Sequence, residues 1–304
     1  MNQKNKFHTG YVFDEIYKDH ILFQGHPESP QRLNAIEKRL KETGLSDEIK
    51  HLSPQKNPLD FIRKIHTNDH ISQIKSIPNT GLIASKAVSG VLEGVDSVCR
   101  GEVKNAFCAV RPPGHHAQNS GQEEGFCFYN NIAVAARYIQ QKYHYKNILI
   151  IDWDYHHGNA TEWAFYDDPS ILFFSTHDWH AYPGTGDPSR IGTGDGKGYN
   201  INAHLSPGSG DEVIKKAWDD KLIPASDHFN PDFILISAGF DSRIDDLLGC
   251  FTITDKGFFD LTQNALQIAR TYCDGRLLSI LEGGYNLTGL AQAVCSHIEA
   301  LLEN

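Results

Sequence analysis

At 304 residues the chain is long enough for a large buried core, and its formal net charge of -10, with no lysine/arginine-rich block, argues against a protein that tracks nucleic-acid phosphates. Neutral or cationic ligands suit that charge better. Six cysteines scattered without a CxxC pair fit neither a disulfide framework nor a cysteine-ligated zinc ribbon, and the polar start over 1–6 with only strand-sized apolar runs supports neither secretion nor a membrane span, so a reducing, cytosolic setting is expected.

The chain opens with a strand candidate at 10–13, a Pro-rich loop at 25–30 and a helix at 32–43, in which Leu33, Ile36 and Leu40 form one apolar stripe and Gly44 is the stop. His26 and Glu28 in that loop read as turn chemistry or as site residues. One or two helices follow over 58–77, then a Pro/Gly-containing connection over 76–84 and a helix over 85–98 patterned on Val88, Val91, Leu92 and Val95. These early helices are expected to pack as a layer at one side. From there strands and helices alternate: strands at 105–110, 147–151, 171–174, 199–202, 233–237 and 277–281, helices at 131–143, 211–222, 254–273 and 287–302. The alternation predicts one α/β domain over 1–304, with a mostly parallel central sheet flanked by helices and joined by right-handed crossovers. The stretch 183–198 holds GTGD twice, but it lacks the strand, helix and spacing of a phosphate-cradling loop; it reads as a wide surface loop with Tyr182 and Pro183 facing the site.

The strand ends carry the chemistry. In open parallel sheets the ligand crevice lies off the carboxyl ends of the strands. The run Ile148-Leu149-Ile150-Ile151 ends in Asp152-Trp153-Asp154-Tyr155-His156-His157. Residues two apart in an extended segment point the same way, so Asp154 and His156 can converge on one metal ion, with Asp152 one step deeper. Taken alone, the motif reads equally as an acidic strand end that caps the next helix. Taken with the other strand ends it says more. Asp241 supplies a third ligand, and three ligands with an open position describe a catalytic rather than a structural zinc. Two carboxylates leave the ion less positive, which makes a neighbouring base more necessary. His115 and His116 supply that base, and Tyr285, flanked by Gly283 and Gly284, can donate to a developing oxyanion.

RPPGHHA at 111–117, GFCFYNN at 125–131, IDWDYHHGN at 151–159, AGFD at 238–241 and LEGGYNL at 281–287 resemble, in the same order, the motif series of the zinc-dependent histone deacetylase family. The resemblance covers 25–302. The RPPGHHA and HHGN forms are similar to the class II branch, to bacterial deacetylase-like proteins and to acetylpolyamine amidohydrolases. It implies an arginase/deacetylase-like fold with Zn2+ on Asp154, His156 and Asp241, His116 as general base and acid, His115 as its electrostatic partner, and Tyr285 polarising the amide carbonyl. It further implies Phe126 as a wall of an acyl-lysine tunnel facing Tyr182, Gly125 lining it, and Arg32 at its acetate end. A structural K+ would fall on Asp152, Asp154, His156, Ser175 and Thr176, and a second monovalent site near Phe165, Asp168, Ile171 and Tyr199. The implied reaction hydrolyses the N-acyl amide of an acylated lysine or related amine. Asn159 stands where many members carry an aspartate behind the second histidine, so His116 is expected to be the less basic of the pair.

Two departures bear on substrate. The stretch 76–84 has no acidic residue where family members use an aspartate to grip a substrate backbone, and Leu248 is apolar where a polyamine-selective relative has a glutamate. An acetylpolyamine amidohydrolase and a non-catalytic acyl-lysine-binding module are the competing readings. A two-manganese arginase-like site is disfavoured, because Gly158 follows His157 and Arg243 occupies the place of the second aspartate.

Overall fold

Ile148-Leu149-Ile150-Ile151 has no polar face to turn to water, and the fold answers by pairing it on both sides with parallel neighbours and burying every residue of it. The computed structural model describes residues 8–304, so the polar start over 1–6 lies outside the described residues. The strands are β1 (Thr9–Val12), β2 (Lys50–Leu52), β3 (Asn105–Cys108), β4 (Ile148–Asp152), β5 (Ile171–Asp178), β6 (Asn200–Leu205), β7 (Phe233–Ala238) and β8 (Leu277–Leu281). They form one sheet in the order β2-β1-β3-β8-β7-β4-β5-β6, and every pairing is parallel. The expectation of a mostly parallel sheet is met in full.

Helices cover both faces. They are α1 (Gln31–Thr43), α2 (Leu59–Ile62), α3 (Asn68–Ser76), α4 (Thr80–Cys99), α5 (Asn131–Tyr143), α6 (Asn159–Ala164), α7 (Asp211–Ala217), α8 (Ile223–Phe229), α9 (Asp255–Tyr272) and α10 (Leu287–Leu302). On one face α1 packs on α10 and α10 on α9; on the other α4 packs on α5 and against β1, β3 and β8. The early helices therefore do not make a layer at one side as expected. Helix α1 and helix α4 lie on opposite faces, each apolar stripe meeting a later helix. No helix among the described residues is long and apolar enough to cross a membrane, and all six cysteines are unpaired.

Several boundaries move for identifiable reasons. Helix α4 begins at Thr80 rather than at 85, because Asn79 at φ 61° turns the chain and reduces the connection expected over 76–84 to a few residues. Strand β5 runs to Asp178 rather than stopping at 174, since Ser175, Thr176 and His177 are polar yet buried and keep pairing with β6. The helix expected over 211–222 is α7, one wider turn at Trp218–Leu222 and then α8; Pro224, at the start of α8, has no N–H to donate backwards. Strand β2 and helix α6 carried no sequence signal. The loop at 183–198 is a surface loop with one tight turn at Gly194–Gly196, held to α6 by Arg190 Nε, which donates to Glu162 Oε1 at 2.6 Å.

Candidate active site

Four adjacent strands, β3, β8, β7 and β4, deliver the site from their carboxyl ends. Strand β3 leads to His115 and His116, β4 to Asp154 and His156, β7 to Asp241 and β8 to Tyr285. Strands β3 and β4 follow each other in sequence yet stand on either side of β8 and β7, so the site sits where the winding of the sheet changes direction.

Asp154, His156 and Asp241 each offer one ligand atom, and these atoms lie within 4.8 Å of one another. The imidazole Nδ1 of His156 is 3.1 Å from Asp154 Oδ1 and 3.0 Å from Asp241 Oδ2. Glycines make the convergence sterically feasible. A Cβ on Gly239 would come within 2.0 Å of Asp154 Oδ2, and one on Gly283 within 2.0 Å of Asp241 Oδ2. Main-chain donors fix the remaining oxygens: Gly283 N–H donates to Asp154 Oδ2 at 2.9 Å and Tyr155 N–H to Asp241 Oδ1 at 2.9 Å. Burial and the neighbouring Asp154 carboxylate push the Asp241 carboxyl up to about 7, and His156, whose burial alone would lower it, is lifted to about 10 by the two aspartates. Two buried carboxylates around one imidazole call for positive charge at their centre, and two oxygens with one nitrogen are a donor set suited to Zn2+. The residues fit a divalent ion.

Behind this cluster the two histidines differ in partner. His115 Nδ1 lies 3.1 Å from Asp152 Oδ2, and His116 Nδ1 lies 2.7 Å from Asn159 Oδ1. Burial would make His115 less basic, but the charges of Asp154, Asp152 and Glu282 outweigh it and lift the imidazole to about 10. His116 moves the other way, driven well below its ordinary value by burial and by the charge on His115. The expected order of basicity holds. Because Asn159 Oδ1 accepts from Nδ1–H of His116, the lone pair of the neutral ring is on Nε2.

Tyr285 is buried, and burial together with Asp241 raises its phenol well above the ordinary value, so it stays protonated and able to donate. A pocket of about 410 Å³ reaches this group, with His116, His156, Phe126, Tyr182, Leu248 and Tyr285 among its walls. Gly125 and Glu123 also line it. Phe126 stands at φ 70°, an unusual conformation for a bulky side chain, with its amide tied to Glu123 Oε1. Its ring meets Tyr285 edge-on at 5.9 Å and His26 at 4.5 Å, while Tyr182 meets His116 at 4.9 Å.

Arg32 is wholly buried behind the pocket. Its Nε donates to the Gly284 carbonyl at 2.7 Å, another nitrogen donates to the Glu282 carbonyl, and the guanidinium lies 5.2 Å from the Tyr285 ring centre. Glu28 accepts from Arg32 and, through both oxygens, from Arg111, so it is a buried structural anion and not turn chemistry. His26 packs between Phe23 and Phe126. Of the residues assigned to monovalent cations, Ser175 Oγ lies 2.9 Å from His177 Nδ1, and Thr176 Oγ1 is buried without a hydrogen-bond partner. Sequence reasoning missed Arg111, Glu282 and Asp246. Glu282 accepts the amide protons of Gly114 and His115 at 2.7 and 3.2 Å, and Asp246 accepts that of Tyr285 at 2.7 Å. Only the RPPGHHA and LEGGYNL motifs, which include the first two, hinted at them.

Fold and site together define an α/β protein with an eight-stranded, all-parallel sheet and a polar site gathered at its carboxyl strand ends. The histone deacetylase domain pattern matches residues 76–301. A probable deacetylase of Archaeoglobus fulgidus is 37% identical over 297 residues, 92% of this chain and 82% of the relative. Histone deacetylase 5 of Arabidopsis thaliana and histone deacetylase 9 of Homo sapiens are each 36% identical across 97% of this chain, which spans only 49% and 34% of their lengths. The crystal structure of the HDA15 HD domain matches with a TM-score of 0.91 at 33% identity, covering 98% of this chain and 90% of that one. The chain belongs to the histone deacetylase family and is a hydrolase of the deacetylase class.

Proposed function

We propose that the protein is a zinc-dependent amidohydrolase that removes acetyl or other short acyl groups from acyl-lysine or a related amine. The observation that carries this reading is the cluster of Asp154, His156 and Asp241, whose His156 lines one pocket together with a histidine pair and a phenol. Those three side chains would hold Zn2+, which when bound supplies Lewis-acid polarisation of the amide carbonyl and lowers the pKa of an adjacent water. The chain's own residues do the rest. The apolar walls formed by Phe126, Tyr182 and Leu248 bind and orient the acyl-amine chain. Nε2 of His116, neutral and unprotonated beside cationic His115, takes a proton from the attacking water. The phenol of Tyr285 donates to the oxygen on which negative charge develops. His116 then returns its proton to the departing amine nitrogen, and acetate and free amine are released.

Turnover of an acetyl-lysine fluorogenic substrate is the test. Activity abolished by chelation and restored by Zn2+ is expected; ligand binding without turnover across acyl chain lengths would favour a non-catalytic module instead. An acetylpolyamine role fits less well, because Leu248 gives the pocket an apolar wall where a polyamine-selective relative has a carboxylate. The K+ positions, Asp152 with Ser175 and Thr176, and Phe165, Asp168, Ile171 and Tyr199, belong to the same reading. K+-dependent stabilisation against heat would support them.

A further inference from the structure

Asp246 belongs to no motif, yet its carboxylate joins two walls of the pocket. Oδ2 accepts the backbone N–H of Tyr285 at 2.7 Å and of Asn286 at 3.0 Å, and Oδ1 accepts the N–H of Leu248 at 2.9 Å. Tyr285 and Leu248 both line the pocket. The turn that carries Asp246 is braced at its base. Arg243 donates from Nε and Nη2 to Asp255 at 2.7 and 3.1 Å and from Nη2 to Gln292 at 2.9 Å, and Ile244 N–H donates to the Ile253 carbonyl at 2.9 Å. Asp245, at φ 63°, directs its carbonyl to Asn286 Nδ2 at 2.8 Å, and Asn286 Oδ1 in turn caps α10. The segment it holds is pinned up to Gly284, where Gly283 N–H donates to Asp154 Oδ2 at 2.9 Å and Arg32 Nε donates to the Gly284 carbonyl at 2.7 Å; from Tyr285 onward the backbone N–H groups turn to Asp246.

We infer that Asp246 is the positioning residue for Tyr285, setting the height of the phenol in the pocket through the tyrosine's backbone and tying that height to the position of Leu248. This rests on the deacylase reading above. A charged acceptor for three backbone N–H groups is stronger and more directional than a neutral one, and a reacting group misplaced by about an ångström loses much of its orientation effect. The inference also gives Arg243 a purpose: it braces the turn that carries Asp246.

A double-mutant cycle tests this on the full chain loaded with Zn2+, with kcat and KM for an acetyl-lysine substrate as readouts. Asp246→Ala should lower kcat roughly 10- to 100-fold, a partial loss of the effect of one oxyanion donor, with KM changing much less. Asp246→Asn, which keeps the shape and one acceptor oxygen, should fall between wild type and Asp246→Ala. In the Tyr285→Phe background, which already lacks the phenolic donor, Asp246→Ala should cost less than about 2-fold more. Should Asp246→Ala not fold, the Asn variant completes the cycle with the same expectation. Additive losses in the two backgrounds, or unchanged kcat in both single variants, would overturn the proposal. An inactive wild-type protein would instead overturn the deacylase reading.

Discussion

Asp241 and Glu28 are both fully buried carboxylates, and their acidities move in opposite directions. Glu28, despite burial that opposes it, is held down to about 2 by Arg111, Arg32 and His20. Asp241 is pushed up to about 7 by burial and by Asp154. The difference lies in whether the fold supplies the counter-charge. At Glu28 two guanidinium groups are built in, and the group ties the loop at 25–30 to the start of RPPGHHA and to the segment that precedes Tyr285. At Asp241 the neighbours are another carboxylate, Asp154, and the single imidazole of His156, so two carboxylates share one basic group, and the proposed metal ion would supply further positive charge. The paired guanidinium groups make the Glu28 cluster scaffold, whereas the carboxylate-rich cluster at Asp241 is the one the proposed function takes as the metal site.

Exchanging charge for neutrality at each place breaks the comparison in opposite ways. Asp241→Asn should lower kcat roughly 10³-fold or more by removing a ligand while leaving the metal-free protein as stable as wild type or more so, because a like-charge contact is relieved. Activity and thermal unfolding of chelated protein, measured together, check this. Glu28→Gln should cost stability, by roughly 3–5 kcal/mol in denaturant titration, since it leaves two buried guanidinium groups poorly paired. The pH dependence follows from the sign of the shift. A carboxyl depressed from 4.5 to about 2 contributes stability that is complete above about 4.5 and is lost as pH falls towards 2, so the variant's stability should vary less than wild type's across that window. Tyr285→Phe touches neither charge cluster; it should lower kcat roughly 10²-fold with little change in KM or stability, and near-wild-type turnover would demote the phenol to a pocket wall.

The smallest expected effect concerns the two histidines. In the proposed mechanism His116 accepts a proton and has to be unprotonated to do so, so activity is expected to fall on the acid side as pH drops through its pKa. Asn159→Asp would place a carboxylate where a neutral amide now lies 2.7 Å from Nδ1, and the acid limb of kcat/KM should move upward by roughly one pH unit. An unmoved limb would mean that His116 is not the group titrating.

The central strands were legible because Ile148 to Ile151 and Phe233 to Ser237 are continuous apolar runs ending in polar residues. Strand β2 was not, since Lys50, His51 and Leu52 form a half-exposed edge of three residues with no pattern to read. Helix α6 hid behind the IDWDYHHGN motif, starting at Asn159 without a side-chain cap. At the site, Asp154 and His156 could be paired from their spacing alone, whereas Asp241 needed the ensemble of strand ends. Asp246 with Tyr285 and Glu28 with Arg111 are separated by 39 and 83 residues, and no local pattern joins them. Their partnership is a property of the packed sheet ends and not of any stretch of sequence.

Metal content after purification with added zinc and thorough removal of the excess tests the central claim most directly, because it does not depend on knowing the substrate. One zinc ion bound per wild-type chain, and none retained by either Asp154→Ala or Asp241→Ala, is the result predicted. Stoichiometric zinc in both variants, or full deacetylase turnover by a wild-type chain stripped of metal, would contradict it.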